Sequence, residues 1–173
     1  EAFGYYFNKN GEIVYELNTV GIKLEKVAKN KKAYRDYFIV EKVEAGIELS
    51  GTEVKSIRHG GVSIKESWCS IVDGEIFINA MHIAKYEQGN IFNKDPLRVR
   101  KLLLHKKEIM RLFGQVKQQG YSLIPLSVYF KGSILKVQVG LCKGKKLYDK
   151  RNDIAEKTAK RNIERAIKEN NKF

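Results

Sequence analysis

The 173 residues carry 33 Lys and Arg against 20 Asp and Glu, a formal charge of +13, with 43% of positions hydrophobic. That is enough chain for one real core inside a strongly basic surface, and positive charge on this scale is directed at nucleic acid, at an anionic membrane or at solubility alone. No run approaches the ~18 apolar residues of a membrane span, no apolar signal segment occurs, and Cys69 and Cys142 lack metal-ligand spacing, so the expectation is a basic protein of reducing cytosol.

In chain order, Phe3, Tyr5, Tyr6 and Phe7 lead through Asn10-Gly11 to Ile13, Val14, Tyr15 and Leu17, which predicts a hairpin. It reads as an accessory element, an addition to a sheet edge or a dispensable extension. Residues 22–32 turn basic and read as a linker or a short helix. The body begins near Ala33, with two short strands over residues 34–43 and 46–49 separated by Glu44-Ala45-Gly46. GTEVKSIRHGG predicts a short helix capped by Thr52, with Glu53 in its positively polarised first turn and Gly60-Gly61 as its stop. Val54 and Ile57 would face the core. Strands over residues 62–72 and 75–78 follow, joined by the hairpin dipeptide Asp73-Gly74.

Residues 80–96 carry no clean period, and an irregular stretch of that length in a small domain usually has a task or lies outside. Beyond Pro96, Leu102, Leu103, Ile109, Leu112, Phe113 and Val116 recur at helical spacing until Gly120, predicting an amphipathic helix. Its other side, Arg98, Arg100, Lys101, Lys106, Lys107 and Arg111, would face phosphate. A last hairpin is read over residues 122–130 and 134–140. Some six strands and one dominant helix predict a mainly β fold: a small antiparallel barrel, partly or fully closed, because an open edge would pair with other chains.

From Lys143 onward the chain holds eleven Lys and Arg against five Asp and Glu, 11 − 5 = +6 of the total +13. Ile154, Ala155, Ala159, Ile163, Ala166 and Ile167 make one thin apolar stripe on this charged segment. It has little reason to fold alone and is expected to become helical against an anionic surface.

No phosphate-binding glycine loop, dinucleotide turn, HExxH helix or nucleophile elbow occurs, and His59, His82 and His105 are widely separated. The fold could bring Asp95 and Glu108 to His105, but acids on a basic helix ordinarily compensate charge. No catalytic group, metal site or cofactor is therefore expected. Recognition chemistry is present instead: Lys and Arg for phosphates, and Tyr86, Phe92 and Tyr148 for stacking on unpaired bases. Glu44, a carboxylate among cations, can accept from base amino groups or join a surface ion pair.

NKKAYRDYFIVEKVEAGIELSGTEVKSIRHG, MHIAKYEQGNIFNKDPLRVRKLLLHKKEI and GLCKGKKLYDKRNDI resemble the SsrA-binding protein family, the bacterial small protein B of trans-translation. The likeness covers about residues 30–173. It implies an oligonucleotide-binding-type (OB) antiparallel barrel with flanking helices, bound to the tRNA-like domain of transfer-messenger RNA (tmRNA). It further implies delivery, with GTP-bound elongation factor Tu, to a stalled ribosome whose message path is empty. By the same resemblance Glu44, Leu103, His105 and Lys136 contact the RNA from the body, and Lys143, Lys145 and Lys146 meet phosphates. Tyr148, Asp149, Lys150 and Arg151 match the element placed near the small-subunit rRNA of the decoding centre. Ala166 and Ile167 match a late apolar pair of the tail. The division expected is an N-terminal extension (1–29), an RNA-binding body (30–147) and a basic tail (148–173). A different class, a general single-strand binder of the same barrel type, fits the charge and aromatics alone. Residues 1–29 have no place in the resemblance.

Overall fold

The computed structural model describes residues 4–7, 13–16 and 24–170. β1 (Gly4–Phe7) and β2 (Ile13–Glu16) pair antiparallel in register Phe7↔Ile13, as the alternating apolar runs predicted. The Asn10-Gly11 turn between them, and Phe3 and Leu17 at their ends, lie outside the described residues. β3 (Leu24–Lys29) is a strand rather than the expected linker or helix, and α1 (Lys31–Asp36) follows it. Asn30 makes this junction possible. Buried at 2% exposure, it caps α1 by accepting from the Ala33 N–H at 3.0 Å and donates its amide to Ile64 O and Pro125 O. Both N–H donors and the carbonyl oxygen of this buried amide thereby have partners.

β4 (Tyr37–Ile47) is one long strand, where two short strands had been expected on either side of Glu44-Ala45-Gly46. The glycine signals close approach instead of a turn. A Cβ on Gly46 would lie 3.2 Å from the Leu103 Cβ on the neighbouring strand, and Ala45 beside it is fully buried. α2 (Gly51–Arg58) is capped by Ser50, not Thr52. Glu53 accepts from the Ser50 N–H at 2.8 Å and the Ser50 hydroxyl at 3.1 Å, while Gly60 leaves the helix at φ 81°. Ile57 is fully buried and Val54 half-buried.

β5 (Val62–Ser63) and β6 (Trp68–Val72) replace the single strand expected over residues 62–72. β6 turns at Asp73-Gly74, both residues at positive φ, into β7 (Glu75–Asn79). β8 (His82–Ile83) pairs with β5. A 3-10 turn, Glu87–Phe92, occupies the middle of the irregular stretch.

β9 (Arg100–Leu103) corrects the helix expected beyond Pro96. Leu102 and Leu103 lie on a strand, with Leu102 paired to Ile47 and Ile76 and fully buried. α3 (Lys106–Gln119) starts three residues after the end of β9, ends at Gly120 in the left-handed region, and buries Ile109 and Leu112. The apolar spacing ran across a strand and a helix because β4 and β7 both offer β9 unpaired backbone. β10 (Ser122–Lys131) and β11 (Ile134–Gly144) form the last hairpin around Gly132 at φ 64°. Pro125, which cannot donate, sits where the register slips. α4 (Leu147–Asn170) is a single 24-residue helix.

Among the described residues, β11, β4, β9, β7, β6 and β10 follow one another as hydrogen-bonded neighbours, and β10 pairs back onto β11. The antiparallel ring so formed encloses Ala45, Ile76, Ile78, Leu102, Val128 and Val137. β3 lies on the far side of β10. The mainly β class with flanking helices is thus as the sequence indicated, and the strands leave few edges to manage.

Arg98 and Arg100 do not lie on a solvent face of α3. Arg100 is 1% exposed, and its Nε donates to Glu53 Oε1 at 2.8 Å. Its other nitrogens reach the carbonyls of Met81, Arg98 and Pro96. Arg98 holds both Glu53 oxygens at 2.9 and 2.6 Å. Burial pushes the Glu53 carboxyl up, but the hydrogen bonds from Arg98, the Ser50 N–H and Arg100 outweigh it and hold the pKa at about 2. A folded-state pKa below the unfolded value gives stability that is present above the unfolded pKa and lost as pH falls through the folded one. Glu53→Gln leaves two guanidinium groups facing a neutral amide and is expected to cost about 3 kcal/mol in denaturant unfolding at neutral pH. The wild-type decline in stability between the ordinary carboxylate range and pH 2 should shrink in the variant. An unchanged unfolding midpoint would show that the cluster contributes no net stability.

Candidate RNA-binding surface

Alternation along β4 points Phe38, Val40, Lys42 and Glu44 away from the ring while Val43 and Ala45 enter the core. Gly46, next on the outer side, pairs with Lys136 of β11 on one flank and Leu103 of β9 on the other. Lys136, Gly46 and Leu103 therefore form a row across three adjacent strands, with Glu44 one step along. Leu103 is half-exposed at 52%, turned outward by the strand alternation that buries Leu102 beside it. His105, two residues on, is exposed at the N-terminus of α3. Its backbone N–H donates to Glu108 Oε2 at 3.2 Å, so Glu108 serves as a cap. Asp95 accepts from the Leu97 N–H at 2.8 Å, a turn contact of its own.

Glu44 is held on both sides. Its carboxylate accepts from the Tyr129 hydroxyl of β10 and lies 3.6 Å from Lys131 Nζ. Burial and the bond to Glu44 push the Tyr129 phenol up, so it stays a donor. The outward parity of β10, which places Tyr129 beside Lys136, was the available signal for this pair. Neither Tyr129 nor Lys131, the two partners of Glu44, stood out as a site residue in the sequence. Arg111, expected to face phosphate, makes a two-pronged ion pair with Glu41 at 2.8 and 2.6 Å and ties α3 to β4.

The other candidate cations gather elsewhere. Lys143 pairs with Phe38 at the opposite end of the β4–β11 ladder, seven residues or roughly 23 Å of strand from Lys136. Lys145 Nζ lies 4.8 Å over the Phe38 ring and 3.5 Å from Tyr34 O, and its backbone N–H donates to Asp36 O. Lys29 and Lys42 lie 5.5 and 5.9 Å over the Tyr34 ring. Lys146 is exposed and its N–H donates to Asp149, so Asp149 caps the start of α4. Arg151 is exposed, as are Ile154, Ile163 and Ile167 at 56, 60 and 54%. The side chains of Tyr148, Lys150 and Ala166 lie outside the described residues.

Among the described residues, no cluster of three or more His, Cys, Asp or Glu side chains is placed to hold a metal, and no helix is long and apolar enough to cross a membrane. Cys69 and Cys142 are buried free thiols, and burial pushes the Cys142 thiol up to about 11. The described surface carries the Lys136–Gly46–Leu103 row with its held carboxylate, the lysines around Tyr34 and Phe38, and a basic helix whose described isoleucines are exposed.

Comparison with known proteins gives this arrangement a family. Residues 27–169 match the sequence model described as "SmpB protein". The SsrA-binding protein of Ruminiclostridium cellulolyticum is 62% identical over 143 residues, which cover 83% of this chain and 93% of the relative. That of Acetivibrio thermocellus is 61% identical over 144 residues, 83% of this chain and 94% of the relative. A solved structure described as "tmRNA-SmpB: a journey to the center of the bacterial ribosome" matches with a TM-score of 0.59 and 49% identity, over 69% of this chain and 85% of that one. The chain belongs to the SmpB family of SsrA-binding proteins.

Proposed function

We propose that this protein performs no bond chemistry, binds the tRNA-like domain of tmRNA on the Leu103–Gly46–Lys136 row, and delivers that RNA to stalled ribosomes in trans-translation. The names of its relatives, SsrA-binding proteins, and the description of the matching structure support tmRNA and the ribosome as partners. The observation that carries the RNA surface is the register that sets Lys136, Gly46 and Leu103 side by side, with Glu44 exposed beside them. Lys136 offers a phosphate contact, and Glu44, oriented by Tyr129, offers an acceptor for base amino or ribose hydroxyl groups. Leu103 offers an apolar face, and His105 a donor at the edge.

In this reading Lys143, Lys145 and Lys146 meet phosphates at the root of the tail, and Tyr148, Asp149, Lys150 and Arg151 approach the decoding centre. α4 then runs along the empty message channel, with Ala166 and Ile167 late in it. Elongation factor Tu with GTP joins only through the aminoacylated RNA, and the site of action is the cytoplasm. The exposed isoleucines of α4 support a partner for the tail, because a charged helix with one thin apolar stripe needs a surface to pack on.

Glu44→Ala, Leu103→Ala and Lys136→Ala are each expected to weaken binding of the isolated tRNA-like domain by about 10-fold, ~1.4 kcal/mol. Only Lys136→Ala should lower the dependence of affinity on salt, by about one unit of slope. Filter binding over a salt series checks this, and full affinity in all three variants would remove the row as the site. The same assay with unstructured RNA of equal length as competitor should leave the folded domain bound. Deletion of residues 149–173 should spare RNA affinity yet abolish tagging on stalled ribosomes in a reconstituted system. Equal loss of both would contradict a division between body and tail.

A further inference from the structure

The 3-10 turn Glu87–Phe92 leaves Ile91 88% and Phe92 71% exposed. Adjacent large apolar side chains standing in water are informative when the backbone beneath them is fixed, and here it is. The Asn93 side chain clasps the loop, accepting from the Tyr86 N–H at 3.0 Å and donating to Tyr86 O at 2.9 Å. A Cβ on buried Gly89 would lie 2.7 Å from that side chain, so glycine is what admits the clasp. Asn90 takes φ 41°, ψ −122°, a sparsely populated conformation kept only where surroundings enforce it. The Thr52 hydroxyl donates to Phe92 O at 3.2 Å and fastens the tip to α2.

The setting of the tip is cationic. Lys55 and Lys94 line the same groove as Ile91 and Phe92. Lys55 Nζ lies 5.5 Å over the Tyr86 ring, which stacks on His59 at 6.0 Å. Residues 84–94 contain one acid, Glu87. Lysine is depleted where proteins dock on proteins, whereas unpaired bases present flat apolar faces directly beside phosphates.

We propose that Ile91 and Phe92 form a second contact for the folded tRNA-like RNA, packing against an unpaired base while Lys55 and Lys94 meet the flanking phosphates. This rests on the row being the RNA site. Continuity of scaffold joins the two places: Arg98 links Glu53 of α2 to Glu48 O, just past the end of β4. Six residues, at most roughly 20 Å of chain, separate Gly46 from Thr52. The root of the tail lies at the other end of β4, so the tip belongs to the RNA-bearing end of the body.

The test is binding of the isolated tRNA-like domain to the full chain carrying Ile91→Ala with Phe92→Ala, beside Glu44→Ala as a control for the row. Removing a base-packing contact is expected to weaken affinity about 10-fold or more with the salt slope unchanged, since no phosphate contact is lost. The thermal midpoint should hold, because both side chains are exposed, and Phe92→Tyr, which keeps the ring, should bind as wild type. If Glu44→Ala weakens binding and the tip variant does not, the inference is overturned and the row stands. If neither weakens it, the underlying RNA site is wrong as well. A tip variant that binds RNA normally but no longer associates with stalled ribosomes would assign the tip to the ribosome and also overturn the inference.

Discussion

The outer surface of this protein depends on one buried carboxylate. Glu53 is taken into the protein with two guanidinium partners, an arrangement that is costly to assemble because three charges lose water. It holds only when nearly every donor and acceptor is used. Here the carboxylate accepts from Arg98, Arg100 and the Ser50 N–H, the remaining Arg100 nitrogens reach carbonyls of Met81 and Pro96, and Arg98 Nη2 donates also to Glu48 O. The bonds fasten the start of α2, the end of the irregular stretch and the entry to β9 to one point. With β9 seated beside β4, Leu103 must cross Gly46, and the row that presents Lys136 and Glu44 follows from ladder register alone.

Much of the frame was legible because local chemistry and tertiary structure agree. Asp73-Gly74 turns a hairpin, Gly120 ends a helix, and the alternation read over residues 122–130 and 134–140 makes paired strands. The failures share a cause. Leu102 and Leu103 fell into helical phase with Ile109 and Leu112, and only the unpaired edges of β4 and β7 decide that residues 100–103 are a strand. Arg100 read as a surface cation because a sequence cannot show that Glu53, 47 residues earlier, waits inside for it. Gly46 read as a break, although the missing side chain serves a neighbour that is distant in the chain. For the candidate site, Glu44 stood out as a carboxylate among cations before the resemblance matched it, whereas Leu103 and Lys136 came from resemblance alone. Their adjacency and the supporting Tyr129 required the register.

The tail shows why charge and fold are read separately. Lys143–Phe173 holds +6 of the +13, and its helix leaves its isoleucines in water. A helix of 24 residues is about 36 Å long, and its stability in isolation is marginal even for favourable sequences. The helix is therefore poised to change with its surroundings. Contacts along an anionic channel would supply what the missing core face does not, and their salt dependence would exceed that of the body's mixed surface.

The root of that helix is not left free. β11 continues past Gly140 to Gly144, pairing Lys143 with Phe38 and Gly144 with Tyr37, and the Lys145 N–H adds a bond to Asp36 O. Two long hydrogen-bonded strands thus act as a strut, with the Lys136–Gly46 pair at one end and the first residues of the tail at the other. Had the tail left from a flexible linker, ordering it would not fix where it starts, and each added linker residue would dilute its effective concentration at the target. A strut removes that freedom for the start of the tail. If the proposed row is the RNA site, the orientation of a bound RNA and the entry of the tail become one geometric quantity, set by the β4–β11 register.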